Sequence, residues 1–172
     1  MKLEKKTLIK HLGNIALVVI IAFLVLSKLP SWIANVQVEG EAVTSFQVRD
    51  ERGEVVTLPK PGEKQIIIFW ATWCGPCQVE LARFNSAVID GQLKAEQALA
   101  ISLGEDPALV YKEAKARDYR FTTLVDPETA SLASLRVDGT PQTYHINAEQ
   151  KVVHASMGLS LLGVWRAEQF LK

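Results

Sequence analysis

The chain has 172 residues and two cysteines, Cys74 and Cys77, two residues apart in "FWATWCGPC". No second thiol pair exists, and outside the N-terminal segment the histidines are His145 and His154, so a four-ligand structural zinc site lacks donors. Histidine is also missing directly after Cys77, where Gln78 stands, which excludes c-type haem attachment. Charge of one sign is absent: 19 basic and 19 acidic side chains cancel, and no run of like charge offers a footprint for nucleic acid. There is neither an internal repeat nor a low-complexity tract, and Pro and Gly are scattered singly. What remains is one compact domain of about 130 to 140 residues behind a greasy N-terminus.

That N-terminus places Lys2, Lys5, Lys6 and Lys10 before an unbroken apolar run over residues 15–26, with Lys28 and Trp32 after it. At 1.5 Å per residue, Lys10 and Lys28 stand about 27 Å apart, enough to approach a membrane span if both lysines snorkel. The run is apolar on all faces, unlike a core helix. A cleavage site needs small residues before the cut. The best match, Val25-Leu26-Ser27, ends inside the greasy run and precedes Lys28, so retention is expected rather than cleavage. The lysine cluster stays cytoplasmic. Residues 1–34 are therefore read as a cytoplasmic tip and signal-anchor helix, and residues 35–172 as the domain outside the inner membrane.

Within that domain, "SFQVRDERGEVVTL" predicts a hairpin turning around Asp50-Glu51-Arg52-Gly53, and "KQIIIFWAT" a strand buried on both faces that ends at the cysteines. From Cys74 the apolar spacing becomes helical to about Ile89. "ALAISL" predicts a second buried strand. Asp106 and Pro107 are cap and first turn of a helix to about Arg117. "FTTLVD" is a third strand, with Asp126-Pro127-Glu128 repeating the cap pattern for a short helix through Leu135. "TYHIN" and "KVVHAS" form an antiparallel pair around Ala148-Glu149-Gln150, and an amphipathic segment over residues 161–171 closes the chain. Alternating strands and helices followed by a strand pair describe an α/β sheet of mixed direction. His145 and His154 are read as partly exposed strand residues.

A disulfide across a two-residue gap closes a tiny loop and adds little stability, which argues against a purely structural bridge. A redox use accounts for the placement. Unpaired N–H groups and the dipole at a helix start favour a thiolate, so Cys74 is the expected nucleophile, and Cys77, one turn in, is placed to resolve the mixed disulfide. Gly75 allows close backbone approach, and Pro76 needs no N–H partner in a first turn.

"FWATWCGPC" resembles the active-site strand and helix start of the thioredoxin superfamily, and "GTPQTYHI" resembles its second signature. With the anchor and the hairpin, the chain is similar in layout over residues 40–172 to the membrane-anchored TlpA/ResA/CcmG-like thiol-disulfide oxidoreductases. The resemblance implies a thioredoxin-like fold with a four- or five-stranded sheet flanked by helices, and a cis Pro141 facing the dithiol. It also implies Thr140 backbone groups available to an extended substrate and Trp73 as apolar surface beside the nucleophile. Trp70 is read as core. Cytoplasmic thioredoxins carry a buried Asp six residues before the first cysteine, where this chain has Ile68. Glu80, three residues after Cys77, stands where similar proteins have an acidic residue; the alternative is a surface Glu paired with Arg83 or capping the first turn.

The leading function is thiol-disulfide exchange by an anchored, extracytoplasmic protein that reduces disulfides of envelope proteins, for example in cytochrome c maturation or metal-site assembly. The resemblance implies a membrane electron donor of the DsbD/CcdA type; a monomer with no cofactor beyond the cysteine pair is expected. A disulfide oxidase or isomerase is the alternative on the same fold. A membrane-tethered binding or chaperone module with incidental thiols is the alternative from another class.

Overall fold

A computed structural model of the chain describes residues 14–23 and 38–172. The chain divides into two units, Met1–Gln37 and Val38–Lys172. In the first, residues 14–23 form helix α1, with exposed side chains. Among the described residues no helix is long and apolar enough to cross a membrane. The anchor expected over residues 1–34 lies outside the described residues except for residues 14–23.

The second unit runs β1 (Phe46–Arg49), β2 (Val55–Leu58), β3 (Gln65–Trp70), α2 (Gly75–Ile89), β4 (Ala98–Leu103), α3 (Pro107–Ala116), β5 (Thr122–Asp126), a 3-10 turn (Ala130–Ala133), β6 (Gln142–Ile146), β7 (Val152–Met157) and α4 (Gly163–Leu171). The strands form one sheet in the order β2-β1-β5-β4-β3-β6-β7. It has seven strands rather than four or five, because the hairpin β1–β2 continues the sheet at its edge through the Arg49–Val125 pair. Asp50 closes that hairpin by accepting from the Arg52 and Glu54 amides.

β3 lies between parallel β4 and antiparallel β6, and all its residues are buried. Alternation splits them between two half-cores. Ile66, Ile68 and Trp70 face Leu81 and Phe84 of α2, Val110 of α3 and Ala167 of α4. Ile67 and Phe69 face Leu99, Ile101, Leu58 and Tyr144. Burying one such side chain stabilises the fold by about 1.5–3 kcal/mol. Strand direction also places the site: β3 and β4 run parallel and end at one edge, and antiparallel β6 begins there, with Phe69 opposite Gln142.

Two elements depart from the sequence reading. The helix expected after Asp126 is only the four-residue 3-10 turn. Asp126 is buried at the end of β5, and its carboxylate takes the Ala130 and Ser131 amides, closing the turn before an α-helix can start at Pro127. α4 begins only at Gly163, after a turn whose Ser160 carbonyl accepts from the Gly163 amide and whose Ser160 and Leu161 carbonyls accept from Arg83.

Candidate active site

Four residues, Ala71 to Cys74, hand β3 to α2. The Cys74 amide donates to the Ala71 carbonyl (3.1 Å), and Cys74 is the N-cap of α2 in extended conformation (φ −85°, ψ 101°). Its Sγ accepts from the Cys77 amide at 3.2 Å. Cys74 and Cys77 are joined as a disulfide. Cys77 is wholly buried, and Cys74 is also buried but keeps 5% exposure. A Cβ added at Gly75 meets nothing within 4 Å, so no part of this chain needs the close approach that a glycine permits. That room faces outward.

The turn is tied from both sides. Gln78 Nε2 donates to the Thr72 carbonyl (3.1 Å). The Glu105 carboxylate accepts from the Thr72 amide (2.9 Å), the Thr72 hydroxyl (2.6 Å) and the Ser102 hydroxyl. Sequence reading passed over Glu105 for its neighbour Asp106. The available signal was a carboxylate two residues past the C-terminal end of a strand parallel to the one carrying the cysteines.

The Thr140–Pro141 peptide is cis. The Thr140 carbonyl oxygen lies 3.6 Å from Cys74 Sγ. In the disulfide that sulfur has no hydrogen to give, so this is a contact, and in the reduced protein only the protonated Cys74 thiol, not its thiolate, can donate across it. The Pro141 carbonyl is taken by the Gly158 amide (2.7 Å), and Gln142 braces the loop before it through the Asp138 amide and the Arg136 carbonyl. Trp73, at the tip of the turn, is 79% exposed, whereas Trp70 is sealed in the core.

Glu80 is not at the surface. It is wholly buried, and its Oε2 accepts from Arg83 at 3.1 Å, so burial and the Arg83 pairing coexist. Arg83 also donates to the Ser160 and Leu161 carbonyls, fastening the β7–α4 loop to α2. A Cβ on Gly163 would stand 2.8 Å from Glu80 Oε1, so the start of α4 lies close against this carboxyl. Burial pushes the Glu80 carboxyl above its usual range, against the opposing pull of the Arg83 charge. A buried carboxyl raised in this way is a stronger base once ionised.

His145 likewise departs from the expectation of partial exposure. It is buried between His154 and Phe170, and neither ring nitrogen has a hydrogen-bond partner among the described residues. Burial, then the nearby His154 and Arg166, lowers its pKa to about 3. His154 is half-exposed and meets Glu39 at 3.0 Å. Neither histidine adjoins the dithiol in sequence or strand register.

Comparison with known proteins bears on this arrangement. Residues 39–155 match the AhpC/TSA family. The chain is similar to thiol-disulfide oxidoreductase ResA of Bacillus subtilis, with 27% identity over 121 residues, covering 70% of this chain and 68% of that protein. It is also similar to sporulation thiol-disulfide oxidoreductase A of the same organism, at 23% identity over 66% and 70% of the two chains. Among solved structures, StoA from Bacillus subtilis aligns with a TM-score of 0.65 over 77% of this chain and all of the other, at 20% identity, a likeness of fold. A thio-disulfide isomerase from Thermus thermophilus aligns with a TM-score of 0.60 at 25% identity, over 77% and 95%.

Proposed function

The chain belongs to the AhpC/TSA family of thioredoxin-like proteins and is a thiol-disulfide oxidoreductase, and from that premise we propose that it works as a membrane-anchored reductase of envelope-protein disulfides. The observation carrying the chemistry is Cys74 at the start of α2, its Sγ on a helix amide and beside the Thr140 carbonyl, with Cys77 sealed behind it. In the reduced protein the Cys74 thiolate attacks one sulfur of a substrate disulfide. The S–S bond breaks, the first substrate thiolate leaves and takes a proton, and a mixed disulfide remains. Glu80 takes the proton of the Cys77 thiol, and the Cys77 thiolate attacks Cys74 Sγ. The second substrate thiolate leaves, and the Cys74–Cys77 disulfide forms. Two electrons pass to the substrate.

Trp73 offers apolar contact beside the nucleophile, and the Thr140 backbone ahead of Pro141 pairs with an extended substrate segment. Gly75 and Pro76 shape the helix start between the two thiols. The anchor over residues 1–34 holds the protein as a monomer in a bacterial inner membrane, N-terminus cytoplasmic and domain periplasmic. The lysine-flanked apolar run supports this part of the reading. A DsbD/CcdA-type membrane protein returns electrons to the disulfide. Substrates are disulfide-bearing envelope proteins, of the kind met in cytochrome c maturation or metal-site assembly. The redox group is the cysteine pair itself.

Cys77→Ser tests the reading, because a mixed disulfide on Cys74 then cannot resolve. Reductant-sensitive covalent complexes should accumulate in the envelope and be absent with Cys74→Ser. No complex with either variant, together with full physiological activity of the double serine variant, would return the protein to a tethered binding module.

A further inference from the structure

The turn that presents Cys74 has no regular secondary structure of its own, and once the disulfide opens, one covalent restraint on it is gone. Polar contacts then hold it beside the core packing of Ala71, Cys74 and Cys77. Thr72, two residues before Cys74, is gripped at both its amide and its hydroxyl by one carboxylate, that of Glu105. Glu105 is not loose on its side either. It stands two residues beyond the end of β4, where Ser102 is paired with Trp70 across the parallel strands and donates its buried hydroxyl to the same carboxylate. Gly104 makes the intervening turn at φ +65°, a left-handed conformation that glycine adopts freely, and its amide is fixed on the Asp126 carbonyl (2.9 Å). From the other side, Gln78 of α2 holds the Thr72 carbonyl. Three donors converge on Glu105, and the link runs from the rigid end of β4 to the backbone that sets where the Cys74 sulfur points.

We propose that Glu105 is a positioning residue for the dithiol, whose carboxylate holds Thr72 and so keeps Cys74 at the N-cap of α2 when the Cys74–Cys77 disulfide is open. The inference rests on the reading of Cys74 as nucleophile. Hydrogen bonds to an ionised acceptor are the stronger kind, and loss of one partner leaves the buried Ser102 hydroxyl and the Thr72 amide to find other acceptors. The turn then drifts, and the Cys74 thiolate loses part of its alignment with the Cys77 amide.

Three variants separate position from charge. Glu105→Gln removes the charge and keeps one oxygen for the Thr72 amide and the Ser102 hydroxyl, while the Thr72 hydroxyl can rotate to accept from the new NH2 group. Glu105→Asp keeps the charge but draws the carboxylate back by one methylene. Glu105→Ala removes both. Each variant is reduced, its folding checked by thermal melt, and Cys74 followed by iodoacetamide alkylation against pH with the modified residue mapped by mass spectrometry. Glu105→Asp and Glu105→Ala should alkylate at Cys74 about tenfold more slowly at neutral pH, with the Cys74 pKa raised, while Glu105→Gln stays within about threefold of the native protein. Unchanged Cys74 rate and pKa in a folded Glu105→Asp or Glu105→Ala variant overturns the inference. Loss in Glu105→Gln equal to that in Glu105→Ala overturns it too, since charge rather than position would then be at work. If Cys77 is modified first in the native protein, the underlying assignment of the nucleophile is what fails. Should Glu105→Ala not fold, Glu105→Asp decides the matter.

Discussion

α2 and α3 start in the same way, with a capping residue in extended conformation and a proline in the first turn, yet the two starts are used differently. At α3, Pro107 is the first helical residue, so the next two amides, Ala108 and Leu109, stay free, and Asp106 takes both (2.8 and 3.2 Å). At α2 the proline is shifted one place, to Pro76. Its missing N–H removes one of those two donors, and the cap side chain, the Cys74 sulfur, takes the single amide of Cys77. A carboxylate with two amides is a structural cap. A sulfur with one amide is a weak cap while oxidised and a charge acceptor when reduced. The dithiol end of the molecule thus gives up local helix stability that α3 keeps, and stability there comes from Glu105, Gln78 and the buried contacts of Cys77 and Leu81.

The comparison breaks most visibly if a good cap at α2 leaves the chemistry intact. Cys74→Asp should abolish disulfide exchange, as should Cys74→Ala. The aspartate should nonetheless make the reduced protein about 1 kcal/mol more stable than the alanine, measured by urea unfolding. Equal stability of the two variants would mean that the α2 start does not reward a cap.

Glu80 has no counterpart in α3. Glu80→Gln should slow release of a mixed disulfide by about a hundredfold at neutral pH while leaving Cys74 attack nearly unchanged, as followed by single-turnover thiol release. The same variant has a signature in stability. Because burial raises the Glu80 pKa from 4.5, the native state holds a proton there that the unfolded chain has already lost. Stability therefore falls as pH rises from about 4.5 through the raised value, by up to about 1.4 kcal/mol per pH unit for one proton, and levels off above it. Glu80→Gln should remove that slope from the pH profile of urea midpoints.

Restoring the missing donor is a smaller change. Pro76→Ala supplies a second amide to the Cys74 thiolate, as Asp106 already has, and should lower the Cys74 pKa by about one unit, one hydrogen bond to a charged group. Smallest is the control at the other helix. Asp106→Ala should cost about 1 kcal/mol in urea unfolding and leave the exchange rate unchanged.

Much of this was legible in the sequence for physical reasons. A run such as "QIIIFW" is buried on both faces only in a central strand, and the cap and proline at Asp106–Pro107 stand where α3 begins. The cysteines, the strand leading to them and the Thr140–Pro141 loop come together at one sheet edge because strand directions bring them there. Burial was harder to read. Glu80 lies on the helical face that follows Cys77, but its cover comes from far along the chain, where Gly163 at the start of α4 closes on its carboxyl. His145 alternates like a surface residue and is covered by Phe170. Glu105 was hidden by Asp106, whose local capping role is visible in sequence, whereas the partner of Glu105 is 33 residues away. The continuation of the sheet by the β1–β2 hairpin rests on one residue pair, too little to mark the sequence.

The central claim is that the start of α2 makes Cys74, not Cys77, the attacking thiol. Its most direct test is the pH dependence of iodoacetamide alkylation of the fully reduced native protein, with each modified cysteine mapped by mass spectrometry. The account predicts that Cys74 is modified first, with an apparent pKa below the ordinary thiol value of about 8.5, and that Cys77 reacts slowly with a pKa at or above it. Faster modification of Cys77, or a Cys74 pKa at or above about 8.5, would contradict it.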